Sequence, residues 1–173
     1  VVALDPVLFP RWFVWMGNAG PDWLPRPEIP IIKRTLKRRR HWDSAQSAFE
    51  RFRQKSMFAK WSDAALRAYV DSITAPDTDN SGVRLVYSPE WEAQIYRSGM
   101  KTNHGWWKWI QDINVPVMII RGSNSDTLGE GAVQRMKQVR PDLNIDQIEE
   151  GGHLFPIEFP AQTARKIITY LSD

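Results

Sequence analysis

The last third of the chain constrains its fold most. Val115, Val117, Ile119 and Ile120 form a near-continuous apolar run that ends at Gly122, the pattern of a strand buried on both faces. Residues 129–139 then place Ala132, Val133, Met136 and Val139 in helical register. A second extended run surrounds Ile145 and Ile148, and Pro160 opens a closing helix whose Ala164, Ile167, Ile168 and Leu171 are expected to face the core. Strand, helix, strand, helix at this spacing predicts parallel strands joined by crossovers. The expected class is α/β with a mostly parallel sheet.

Sheets of this kind place their chemistry in loops beyond the carboxyl ends of the strands. The first strand delivers Asp126 to one such loop, and the second delivers His153 to another, just after Gly151 and Gly152. The two glycines allow close backbone approach and unusual dihedrals, while Leu154, Phe155 and Pro156 are expected to pack the loop. An acid that orients a histidine, and a histidine that relays a proton, are two members of a hydrolytic triad. The third, a nucleophile on a strand-to-helix elbow, is not visible, because the sequence contains no G-x-S-x-G. Ser123 and Ser125 share the loop of Asp126 rather than an elbow, so neither is assigned. Asp5 follows another apolar run, in an Asp-Pro context that suits a plain strand exit.

That earlier run, VVALDPVLFP, reads as a buried strand in which the chain begins. The backbone donors and acceptors of a central strand need neighbours on both sides. The expectation is a companion N-terminal fragment of the same protein that carries the nucleophile, without which this chain is inactive.

Composition narrows the remaining classes. A length of 173 residues suits one domain, and 42% hydrophobic residues with nine Trp, seven Phe and four Tyr argue for a packed core. The absence of cysteine excludes disulfides, thiolate nucleophiles and cysteine-bound metals. His41 and His104 have only scattered carboxylates near them, so neither a metal nor a cofactor is expected. No apolar run is long enough to cross a bilayer, and a cytoplasmic location is expected. Net charge is +3, concentrated in Lys33, Arg34, Lys37, Arg38, Arg39 and Arg40. Ile31, Ile32 and Leu36 lie in the same run, which therefore reads as the solvated face of a helix rather than a nucleic-acid site.

Between these ends, residues 11–112 break the α/β pattern. Prolines and glycines over 10–30 predict a long connection. Residues 43–58 look helical, with Asp43 and Gln46 at capping-box spacing and Ala45, Ala48, Phe49 and Phe52 on one face. Ser62 is placed to cap a helix carrying Leu66, Tyr69, Val70 and Ile73. Residues 74–82 read as a polar turn before the short extended run VRLVYS. Ser88-Pro89-Glu90 opens another helix, with Gly99 as its expected stop. A helical insert between sheet strands predicts a lid over an apolar cavity, lined by Trp42, Trp61, Trp91, Trp106, Trp107 and Trp109.

Taken together, VPVMIIRGSNSDTL and EEGGHLFPIEFPAQTARKIITYL resemble the C-terminal part of the α/β-hydrolase family. VVALDPVLFP resembles its strand just after the nucleophile helix, and residues 11–112 its cap. The resemblance implies an α/β-hydrolase-like, mostly parallel sheet with a helical cap, present as the C-terminal portion only: core strand 1–10, cap 11–112 and α/β core 113–173. It implies Asp126 as acid and His153 as base, with Asp5 as the alternative acid because some members place that residue after the earlier strand, and with the G-x-S-x-G elbow and the oxyanion loop upstream. It also implies a serine hydrolase without cofactors.

The reaction expected is cleavage of a carboxylic ester in a small, largely apolar substrate. Trp42, Trp61, Tyr69, Trp91, Tyr96 and Trp106 are the candidate cap-side contacts. Arg11, Arg34 and Arg97 are candidate partners for a carboxylate, and nothing in the sequence ranks them. The alternative is an epoxide or haloalkane hydrolase with an Asp nucleophile, in which Tyr69 and Tyr96 would serve as acids. A non-catalytic ligand-binding protein of the same fold is the third reading. Expected partners are the companion fragment and a small-molecule substrate, with no nucleic acid and no membrane span; a homodimer is left open.

Overall fold

The computed structural model describes residues 1–8, 30–102 and 104–172, apart from the side chains of 100–102 and 104. The connection expected over 10–29, and with it Arg11, lies outside the described residues. The backbone forms two compact units: Val1–Pro25 with Gly99–Asp173, and Arg26–Ser98. The insert is thus shorter than the 11–112 segment expected. A helix at His104–Asp112 belongs to the first unit, because its Ile110 is buried in that unit's core and Trp107 packs against the same cluster.

The first unit is built on a parallel sheet in the order β1 (Val2–Leu4), β5 (Met118–Gly122), β6 (Asn144–Ile148). Val2 pairs with Met118 and Leu4 with Ile120, while Met118 pairs with Asn144 and Gly122 with Ile148. All five residues of β5 are buried, which explains its near-continuous apolar sequence. Strand alternation sends its side chains to two faces. On one face Val117 and Ile119 join Leu8, Ile110, Leu128, Leu143 and the buried Val133 and Met136 of the helix Glu130–Val139. On the other, Met118 and Ile120 pack with Ile148 and Phe155.

The closing helix Pro160–Ser172 covers that second face differently from expectation. Ile167 and Tyr170 pack against the core and Thr163 is buried, whereas Ala164, Ile168 and Leu171 are exposed. Both sets repeat at helical spacing, so periodicity alone could not choose between them. The short helix Phe155–Glu158 comes just before, and the first turn of the closing helix starts from its end, where Thr163 donates its N–H to Phe159 O at 3.0 Å.

The second unit combines helices with a small antiparallel sheet, ordered β2 (His41–Trp42), β4 (Val83–Leu85), β3 (Thr74–Pro76). Residues 74–76 are therefore strand, and the turn narrows to 77–82. Gly82 sits there at φ 104, with Trp42 O only 2.3 Å from where a Cβ would lie, so glycine is required. The helix Ala45–Arg53 is capped by Ser44 and Ser47, not by Asp43 and Gln46: the Ser44 hydroxyl accepts from Ser47 N and the Ser47 hydroxyl from Ser44 N, each at 3.1 Å. Ser62 caps Asp63–Ile73, accepting from Ala65 N at 3.2 Å. The helix opened by Ser88 runs through Gly99 to Thr102.

The basic run is only partly helical. Pro30–Leu36 buries Ile32 and Thr35 and leaves Ile31 exposed, while Arg38 and Arg40 lie beyond it and form ion pairs with Glu92 and Glu90. These acids offset the charge that suggested an anionic polymer.

Candidate functional site

Asp5 directly follows β1 and takes a left-handed backbone conformation, φ 44, which a non-glycine residue adopts only against resistance. Its N–H donates to Ile120 O at 2.8 Å, tying the turn to the neighbouring strand. The side chain is then turned inward and is 1% exposed. Gly122, at the end of β5, donates its N–H to Asp5 Oδ1 at 3.2 Å.

The loop bearing His153 is fastened to the same strand end. Ser123 N donates to Ile148 O at 3.0 Å, Asn124 N to Gly151 O at 2.9 Å, and Glu150 N to the Ser123 hydroxyl at 2.8 Å. A Cβ on Gly122 would lie 2.4 Å from the carbonyl oxygens of both Gly151 and Gly152, so the close approach demands glycine at 122. The unusual dihedral expected at the glycine pair falls instead on Glu150, at φ 58. Gly152 N donates to Glu158 Oε2 at 2.9 Å, which bridges the loop to the short helix after it. Phe155 is fully buried and anchors the same segment.

These anchors bring the imidazole onto Asp5. His153 Nδ1 is 2.7 Å from Asp5 Oδ2 and 2.9 Å from Thr127 Oγ1. The Ser125 and Thr127 hydroxyls each donate to Asp5 Oδ2 at 2.5 Å. Asp126, between them in sequence, is exposed. The expected pairing of Asp126 with His153 is thus replaced by Asp5. Ser125 and Thr127 point toward the buried carboxylate, and the intervening residue points away, as local alternation requires. Asp126 still acts on His153 through its charge.

The electrostatics follow from this geometry. Burial pushes the Asp5 carboxyl up, but hydrogen bonds from His153, Ser125, Thr127 and Gly122 together outweigh it and hold the group below the ordinary carboxylate value. The hydrogen bond from Asp5 raises His153, burial opposes that, and the charges of Asp5 and Asp126 add to the rise. An ionised Asp5 can only accept, so Nδ1 carries the proton and Nε2 presents its lone pair. Such a pair can take a proton at Nε2 and stabilise the resulting imidazolium. Ser125 lies on the Nδ1 side with Asp5, so its hydroxyl is not placed as a nucleophile for Nε2.

The other candidates belong elsewhere. Trp42 and Trp61, 3% and 4% exposed, are core residues of the second unit. They form a ring cluster with Phe52, Phe58 and Tyr69, centroids 5.0–5.8 Å apart, and share that core with the buried Phe49, Leu66 and Val70. Tyr96 donates its hydroxyl to Glu92 at 3.1 Å. Trp91 is exposed in the second unit, and Trp106, in the first, meets Trp109 edge-on at 5.4 Å. Among the described residues, no group of three or more His, Cys, Asp or Glu could hold a metal ion, and no helix is long and apolar enough to cross a membrane.

Solved structures share the fold. A peroxisomal alpha-beta-hydrolase from Saccharomyces cerevisiae superposes with a TM-score of 0.76 at 16% identity, over 99% of this chain and 46% of its own. The fold is α/β-hydrolase-like. An E-2-(acetamidomethylene)succinate hydrolase superposes on the α/β-hydrolase-like chain at 0.69 and 19% identity, over 88% of this chain and 56% of its own. The thioesterase domain from the curacin biosynthetic pathway does so at 0.64 and 18%, over 96% and 56%. The chain spans about half the length of these structures. No protein-family model and no curated sequence matches it.

Proposed function

We propose that Asp5 and His153 are the acid and base of a serine-hydrolase site whose nucleophile lies outside the described residues, and that the substrate class is a carboxylic ester. The observation that carries this is the 2.7 Å contact between His153 Nδ1 and the buried Asp5 Oδ2, at the carboxyl ends of parallel strands where α/β sheets hold their ligands. In the reaction, a serine would attack the ester carbonyl while Nε2 takes its proton. The imidazolium would return that proton to the leaving alkoxide, and water would then release the acid by the same relay. The nucleophile is proposed to reside on a companion polypeptide of the same protein that pairs along β1. Fold neighbours named as a hydrolase and a thioesterase support acyl transfer and nothing narrower.

The epoxide reading loses support from its own candidates. The Tyr96 hydroxyl is given to Glu92, and burial, with that carboxylate's charge, pushes its pKa up; the Tyr69 ring is packed among Phe52, Phe58 and Trp61. The test uses a fluorophosphonate probe on the protein with whatever polypeptide co-purifies. Labelling of a serine on the companion, abolished by His153→Ala, is the expected result. Ester turnover without any serine adduct would transfer the site to the Asp-nucleophile reading, and neither labelling nor turnover in a folded complex would leave a non-catalytic binder.

A further inference from the structure

The Asp5 carboxylate is more heavily hydrogen-bonded than a histidine-orienting acid requires. Three donors converge on Oδ2: His153 Nδ1 at 2.7 Å, and the hydroxyls of Ser125 and Thr127 at 2.5 Å each. Each hydroxyl has a single proton to give. Thr127 N donates to Ser125 Oγ at 3.2 Å and occupies one of its lone pairs, while the proton of Ser125 goes to Asp5. Ser125 Oγ also lies 2.9 Å from Thr127 Oγ1, so the Thr127 proton goes to Asp5 or to Ser125, and Thr127 Oγ1 meets His153 Nδ1, 2.9 Å away, as an acceptor. Nδ1 therefore faces two acceptors and no donor. Only the Nδ1–H form of the ring satisfies both.

We propose that Ser125 and Thr127 are positioning residues of the Asp5–His153 pair: their hydroxyl protons saturate Asp5, and together they restrict the neutral imidazole to the Nδ1–H tautomer with Nε2 as the base. The proposal rests on the hydrolase reading of that pair and adds residues that the reading does not need. The two hydroxyls also compete with the imidazole for the negative charge of Oδ2. Without the Ser125 hydroxyl, Asp5 becomes a stronger acceptor for His153 and the imidazolium is stabilised further; without the Thr127 hydroxyl, the ring also loses the second acceptor of its Nδ1 proton, and the hold on the Nδ1–H tautomer weakens. Asp126 lies between the two in sequence and is exposed, so it supplies charge without a hydrogen bond to the ring. A residue that only filled space would affect stability and leave both tautomer and proton affinity alone.

The test is a long-range 1H–15N titration of the imidazole nitrogens in the full chain, with its companion if the two co-purify. His41 and His104 serve as internal references. The expected result is a neutral His153 held as Nδ1–H in the parent protein, a proton affinity raised about threefold, or half a pH unit, in Ser125→Ala, and a tautomer balance shifted away from Nδ1–H in Thr127→Val. Thr127→Ser should restore the parent titration. Should Thr127→Val not fold, Thr127→Ala and Ser125→Ala give the same reading. An unchanged midpoint and tautomer in the hydroxyl-deleted variants, with both altered by Asp5→Asn, overturns the positioning role and leaves the pair intact. If Asp5→Asn alters neither, the pair itself is wrong.

Discussion

Among the described residues, two histidine–aspartate contacts have nearly equal geometry, one in each unit. His153 Nδ1 lies 2.7 Å from Asp5, and His41 Nδ1 lies 2.9 Å from Asp77. The histidines are 40% and 37% exposed, their acids 1% and 7%. What separates them is where the acid's other partners come from. Asp77 accepts from Asp79 N at 3.1 Å and from Asn80 Nδ2 at 3.2 Å, so it closes its own turn in the manner of an Asx motif. Asp5 accepts from Gly122, Ser125, Thr127 and His153, all distant in sequence and all at strand ends. One contact organises a hairpin and the other gathers loops around a base. A His–Asp pair is not in itself a site.

The largest expected effect separates the two pairs by activity. In the catalytically competent protein, His153→Ala should lower kcat by on the order of 10³-fold or more, whereas His41→Ala should leave it within about threefold. Steady-state ester hydrolysis checks both. Comparable losses from both variants would erase the distinction.

A smaller effect concerns the glycine beside each pair. Gly122→Ala must push aside the backbone of the His153 loop, and Gly82→Ala must relax both a left-handed turn and a contact with Trp42 O. Each should cost about 1–3 kcal/mol of stability in chemical denaturation. Gly122→Ala alone should also shift the imidazole resonances of His153. Equal disturbance of His153 by both variants would mean that the units do not act separately on it.

The smallest effect is a pH dependence peculiar to the site pair. Asp5 titrates below its ordinary value, so its contribution to stability is full above about pH 3.9 and is lost as pH falls through the lowered value. His153 titrates above its ordinary value, so its contribution is full below about pH 6.5 and fades as pH rises through the raised value. Both are full between about pH 4 and 6.5, and Asp5→Asn should flatten the stability profile on either side of that window. Turnover needs neutral Nε2, so the acid limb of kcat/KM should lie above pH 6.5 or so. A limb at or below that value would argue that Asp5 does not hold the imidazole in the working enzyme.

Much of the parallel core was legible in the sequence, because the run Val117–Ile120 leading through β5 is apolar and the helix 130–139 has one unambiguous buried stripe. The closing helix was less so: Ala164, Ile168 and Leu171 repeat as regularly as Thr163, Ile167 and Tyr170, and a buried threonine hid the true face. His153 was legible from its glycine-rich strand exit. The contact of Asp5 with it was not, because a left-handed residue after β1 turns the carboxylate under β5, and no local pattern announces that turn. One signal was available: in Ser125-Asp126-Thr127, alternation allows either the acid or its two hydroxyl neighbours to face inward. Two small hydroxyls beside an already buried carboxylate are easier to desolvate than a second charge. Trp42 and Trp61 misled for a related reason, since sequence shows aromatic mass but not whether a small unit spends it on its own core.

The central claim is that Asp5, not Asp126, serves His153, and one side-by-side measurement addresses it. Turnover of p-nitrophenyl acetate should be measured for Asp5→Asn and Asp126→Asn in the protein complemented for its nucleophile, at matched folding. The account predicts a loss on the order of 10³-fold or more for Asp5→Asn and of less than about tenfold for Asp126→Asn, whose charge reaches the imidazole only through space. The reverse order, severe at Asp126 and mild at Asp5, would contradict it.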